Sequence, residues 1–181
     1  MVVSKAPVVP AGSVILPPSS GFPYPSLALD AIRLVACVAR CRAAAVGYGL
    51  GAKAAAGDSE PGARGFLRID CSGFVGWTLC QATAGRFPDL LGRGSVEQHD
   101  WIAAHGFKTS SVPAGPLHDG AVRIAFLSPA AGGGIGHVML LLDGQTIESH
   151  GGVGPDRRAW DVAQHPFMAH CALYVLTPPA A

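Results

Sequence analysis

Hydrophobic positions along this 181-residue chain follow two periods, and the change from one to the other falls near residue 112. In the first part they recur every three or four residues. Leu27, Ala31, Leu34, Val38, Cys41 and Ala45 form one apolar stripe with Arg33 and Arg40 opposite, which predicts a helix from a candidate cap at Ser26 to the glycines at 47–51. Phe74, Val75, Thr78 and Leu79 predict a second helix over Cys71 to Ala82, with Asp70 as N-cap and Gly73 thinning its first turn. Ser95 is the candidate cap of a shorter third helix through Ala104, with Trp101 and Ile102 facing inward. After Val112-Pro113-Ala114-Gly115-Pro116 the apolar residues gather into short runs that predict strands at Ala121–Leu127, from His137 onward, at Gln145–Ser149 and at Cys171–Leu176. Asp143-Gly144 reads as a tight hairpin turn between the middle two. Helices first and hairpin-linked strands second predict an α+β fold, N-terminal helices packed on one side of an antiparallel β-sheet.

The ends and linkers add to this. Residues 1–25 carry Pro7, Pro10, Pro17, Pro18, Pro23 and Pro25 among Gly and Ser, and predict an extended, disordered arm ahead of a single domain at 26–181. Nearly half of the chain is hydrophobic, much of it in small residues, so the core is expected to combine small side chains with a few large anchors. A net charge of +1 with no run of Lys or Arg gives no basic footprint for nucleic acid. The most apolar stretch, 31–56, carries Arg33, Arg40, Arg42 and Lys53 and is not a membrane span. Lys5 is the one positive charge near the start, and Pro7 and Pro10 interrupt the apolar run that an export signal needs, so no secretory signal is evident.

Five cysteines (Cys37, Cys41, Cys71, Cys80, Cys171) make an odd number, without a CxxC pair or a Cys/His spacing typical of zinc. Four of them read as small buried hydrophobes, with no disulfide framework. Cys71 differs because it opens a helix, among unpaired backbone N–H groups at the positive end of the helix dipole, a setting that favours the thiolate. Thiol catalysis also needs an imidazole beside the sulfur, a group that orients it, and donors for an oxyanion. His137 enters an apolar strand and is the candidate base; Glu148 and His150, two apart in the next strand, share a face and are both candidates for the orienting role. The remaining histidines, His99 among them, read as surface residues.

Asp70-Cys71-Ser72-Gly73-Phe74-Val75 resembles the nucleophile signature of the NlpC/P60 superfamily of papain-like cysteine peptidases. Gly136-His137-Val138 followed by an apolar run resembles that superfamily's histidine strand, and Tyr48-Gly49-Leu50-Gly51 its upstream Tyr-x-x-Gly, all in the right order. The resemblance spans roughly Ala28 to Leu176. It implies a papain-like core, with Cys71 as nucleophile, His137 as base and a third catalytic residue shortly after. Glu148, directly after Thr146-Ile147, fits the family pattern better than His150, but both stay open. It also implies an oxyanion site built from the Cys71 N–H with Tyr48 nearby. Asp70 and Ser72 would help bind the free amine end of a substrate, although capping explains Asp70 equally well. Gly132-Gly133-Gly134 and Gly151–Gly154 would wall the groove.

The activity so implied is a cysteine peptidase or amidase that cleaves peptidoglycan stem peptides, commonly between D-glutamate and a diamino acid, without metal or cofactor. Delivery to the cell envelope would then fall to a phage particle or a signal-independent secretion partner. Two other readings share the residues: an acyltransferase or deamidating toxin that uses the same thiol, and a non-catalytic virion or wall-binding module that retains the fold.

Overall fold

The sheet that carries this molecule is made almost wholly from the second half of the chain. The computed structural model describes residues 13–15 and 28–177. In chain order the elements are β1 (Ser13–Ile15), β2 (Ala28–Asp30), α1 (Ala31–Ala43), β3 (Gly47–Tyr48), β4 (Arg68–Ile69), α2 (Cys71–Ala82), α3 (Ser95–Ala104), β5 (Thr109–Ser110), β6 (Arg123–Leu127), β7 (His137–Leu142), β8 (Gln145–His150), β9 (Gly154–Asp156) and β10 (Ala172–Val175). Short 3-10 turns lie at Pro88–Leu90 and Pro166–His170. Six strands form one antiparallel sheet in the order β5-β10-β6-β7-β8-β9. The α+β class and the antiparallel sheet agree with the sequence pattern.

Alternation along the central strands builds two cores. Ile124, Phe126, Val138, Leu140, Leu142, Ile147 and Tyr174 join the cluster that holds the helices, and α2 packs across β7 and β8 on that side. Ala125, Leu127, Met139, Leu141 and Leu173 point the other way, where Trp160, Met168 and Cys171 cover them. The unbroken run Val138-Met139-Leu140-Leu141-Leu142 is thereby explained: a strand covered on both faces needs no polar alternation. Asp143 and Gly144 both take positive φ (47° and 70°), the type I′ geometry that suits a two-residue hairpin.

Several expectations shift. The first described helix starts at Ala31 and is capped by Asp30, whose carboxylate accepts from the Arg33 N–H at 3.1 Å. The expected cap Ser26 lies outside the described residues. Ala45, expected on the stripe, lies beyond the helix at a φ of 53°. Most of the 1–25 arm is likewise outside the described residues, but Ser13–Ile15 forms a strand paired with Ala28–Asp30. Gly94, not Ser95, holds the N-cap position of α3, and its N–H donates to Glu97 Oε2 at 2.8 Å. His99 is not a simple surface residue, for its ring packs edge-on against Phe126 and Tyr174. Gly151–Val153 form an exposed turn into β9, a strand the sequence pattern did not show.

Candidate functional site

The site is assembled where the start of α2 meets the start of β7. Asp70 Oδ1 accepts from the Gly73 N–H at 2.7 Å and so caps the helix that Cys71 opens. A Cβ on Gly73 would stand 2.7 Å from the Ala52 carbonyl oxygen and 2.9 Å from Lys53 Cδ, so only glycine lets the 51–53 loop close over this turn. Ser149 on β8 donates to the Ile69 carbonyl at 2.8 Å, which ties the strand of Glu148 to the residue before Asp70. Gln98, fully buried, donates to the carbonyls of Ser72 and Leu90 at 2.8 Å each and fixes α3 against the same turn.

His137, the first residue of β7, has its Nε2 2.7 Å from Glu148 Oε2, and the Cys71 side chain is near enough to act on its imidazole. Burial alone lowers the imidazole's proton affinity, but the hydrogen bonds and charges of Cys71 and Glu148 outweigh it and raise the His137 pKa to about 9. Glu148 is fully buried. Burial pushes its carboxyl up, and bonds from His137 and Arg158 more than reverse this, holding it down at about 2. The imidazolium and carboxylate are therefore the stable forms across the neutral range.

Four hydrogen bonds converge on that carboxylate. Besides His137, Thr146 Oγ1 donates to Oε1 at 2.6 Å, and Arg158 donates from Nε to Oε1 at 2.7 Å and from Nη2 to Oε2 at 2.9 Å. Of the two candidates for the orienting role, Glu148 is the one bonded to His137. His150 instead lies 3.6 Å from Asp156, which also pairs with Arg42 at 3.2 Å.

Tyr48 lies in β3, alongside Ile69 of β4, and is half-buried. Burial first, then the charges of Cys71 and Asp70, raise its phenol pKa. Asp70 and Ser72 make their polar contacts within the chain. Asp70 takes donors from Gly73, Ser72, the Gly51 N–H and the Lys53 ammonium, and Lys53 Nζ also meets Ser72 Oγ at 3.0 Å. Four donors use the lone-pair sites of one carboxylate. Lys53 thus occupies both side chains, and Asp70 serves as cap and loop anchor.

All five cysteines are free and buried. Burial pushes Cys37 and Cys80 up to about 11, and Cys41 and Cys171 up to about 12, so these four stay protonated thiols. Among the described residues no group of three or more His, Cys, Asp or Glu is placed to hold a metal ion, and no helix is long and apolar enough to cross a membrane. No protein-family model and no curated protein matches this chain. The resemblance to NlpC/P60 peptidases rests on the sequence motifs.

Proposed function

We propose that this chain is a thiol hydrolase of the NlpC/P60 kind, acting on amide bonds of peptidoglycan stem peptides. One observation carries the reading: a cysteine at a helix N-terminus near an imidazole whose Nε2 meets a buried carboxylate. That is the constellation nucleophilic acyl chemistry requires, with each group oriented by the next. The substrate class comes from the motif resemblance.

In the reaction the Cys71 sulfur attacks the amide carbon, and the carbonyl oxygen takes up the electron pair. The Cys71 backbone N–H at the start of α2 would donate to that oxyanion, with Tyr48 as a further candidate. Collapse expels the amine, which takes its proton from His137, and leaves a thioester on Cys71. His137, now neutral, removes a proton from water; the hydroxide attacks the thioester, the acid is released, and Cys71 and His137 return to their starting state. Glu148 accepts from Nε2 throughout, so the other ring nitrogen faces sulfur and substrate.

The test is incubation of the full chain with soluble muropeptides of known stem sequence, followed by mass analysis. Hydrolysis adds one water across a stem-peptide amide and is absent with Cys71→Ala. Products joined to an added amine in place of water would mark a transferase, and unchanged muropeptides would refute the proposed substrate class.

A further inference from the structure

Arg158 had no part in any motif, being the second of two adjacent arginines in the segment after β9, yet it makes more bonds to Glu148 than His137 does. We propose that Arg158 is a positioning residue of this site: its guanidinium fixes the plane of the Glu148 carboxylate against His137 Nε2 and offsets the carboxylate's charge, so that the imidazolium can surrender its proton during turnover. The proposal rests on the thiol-imidazole reading above.

The geometry is specific. Nε and Nη2 reach different oxygens, at 2.7 and 2.9 Å, so the fork restrains rotation of the carboxylate as a single contact could not. Oε2 is shared between Nη2 and His137 Nε2, and thus sits at one corner that two donors define. Arg158 is itself held. Its backbone N–H donates to Thr146 Oγ1 at 3.2 Å, its carbonyl accepts from the Thr146 N–H at 2.9 Å, and its guanidinium lies 5.1 Å from the Phe167 ring centroid. Thr146 closes the ring by donating to Oε1.

The charge argument follows from burial. A lone carboxylate in this setting would bind the imidazolium proton tightly, whereas the chemistry requires that proton to leave. Guanidinium groups in proteins keep their charge, so the compensation is constant. The other ionisable groups around the pair are known. Cys71 faces His137 from α2, with Tyr48 and Asp70 beyond it, and Cys171 faces Glu148 from the segment before β10. His150, Asp156 and Arg42 form a separate set further along β8 and β9. Among the described residues paired with Glu148, Arg158 is the permanent cation.

The experiment is NMR titration of histidine-labelled full chain, with His137 assigned by loss of its signal in His137→Gln. The wild-type midpoint is expected near 9, together with a downfield proton resonance from the Nε2–H shared with Glu148. Arg158→Gln removes the cation and is expected to raise the midpoint by about one pH unit. Arg158→Lys keeps the charge but cannot span both oxygens, so the midpoint should stay while the downfield resonance moves upfield and broadens. A folded Arg158→Gln with the wild-type midpoint would reduce Arg158 to a structural ion pair and overturn the proposal. Should Arg158→Gln fail to fold, an Arg158→Lys spectrum identical to wild type overturns it equally. A wild-type His137 that titrates at its ordinary 6.5 would instead refute the thiol-imidazole reading itself.

Discussion

Glu148→Gln is the substitution that most tests how this site is wired. It preserves the shape of the side chain and removes one charge. Every group around the carboxylate points a donor at it: His137 and Arg158 Nη2 at Oε2, Thr146 and Arg158 Nε at Oε1. An amide offers one oxygen, so whichever way it turns its NH₂ end meets an Arg158 N–H. Breaking a buried ion pair from one side costs roughly 3–5 kcal/mol. Arg158 is a quarter exposed and can turn partly to water, so a loss of about 2–3 kcal/mol is expected. The imidazolium also loses support. Its pKa near 9, against an ordinary 6.5, corresponds to about 3 kcal/mol shared between Cys71 and Glu148. With tautomer and orientation no longer enforced, turnover should fall about 10³- to 10⁴-fold at little change in KM. The assay is turnover of one muropeptide by chromatography, with urea unfolding in parallel. His150→Gln, whose Nε2 faces Asp156 at 3.6 Å, should be mild in the same assay. A crippled His150→Gln beside a nearly normal Glu148→Gln would refute the reasoning.

Three further outcomes are expected. Cys71→Ala should abolish turnover and leave the thermal midpoint nearly unchanged, whereas Cys37→Ala and Cys80→Ala, in the packed interior, should lower the midpoint and spare turnover. Glu148, whose pKa is lowered to about 2, contributes stability that is present above its ordinary 4.5 and lost as pH falls, while His137, raised to about 9, contributes stability that is full below 6.5 and lost as pH rises through 9. Urea midpoints should therefore peak between those ordinary values, and the alkaline decline should be shallower in His137→Gln; equal slopes in the two proteins would contradict this. Gly76→Ala should destabilise by about 1–3 kcal/mol despite alanine's better helix propensity, because the new Cβ would lie 2.6 Å from the Leu90 carbonyl oxygen, and an unchanged urea midpoint would show that the contact relaxes freely.

What could be seen in the sequence were features whose determinants are local. Cys71–Ala82 is bounded by its own cap and periodicity, and the β7–β8 hairpin by Asp143-Gly144, so both elements were placed within a residue or two. Cys71 and His137 stood out as candidates because their contexts are short and contiguous. Arg158 was invisible for the opposite reason. It reaches Glu148 from ten residues away, and nothing local distinguishes it from Arg157. Asp70 was placed correctly as a cap, but its contact with Lys53 depends on a loop folding back over Gly73, which no periodicity encodes. The second core was hidden in the same way, because Trp160 and Met168 come from irregular chain and cover the sheet only in three dimensions. Gln98 reads as an ordinary polar helix residue until two buried carbonyls are found beside it.

The claim on which everything else depends is that Cys71 is a thiol activated by His137. Its most direct measurement is the rate of iodoacetamide modification of each cysteine in the native chain at neutral pH, read by peptide mass spectrometry. The other four thiols are held protonated by burial, at about 11 to 12. Cys71 should therefore be modified first by a wide margin, and His137→Gln should slow it toward the others while leaving their rates unchanged. Preferential labelling of a different cysteine, or a Cys71 rate indifferent to His137→Gln, would contradict the claim.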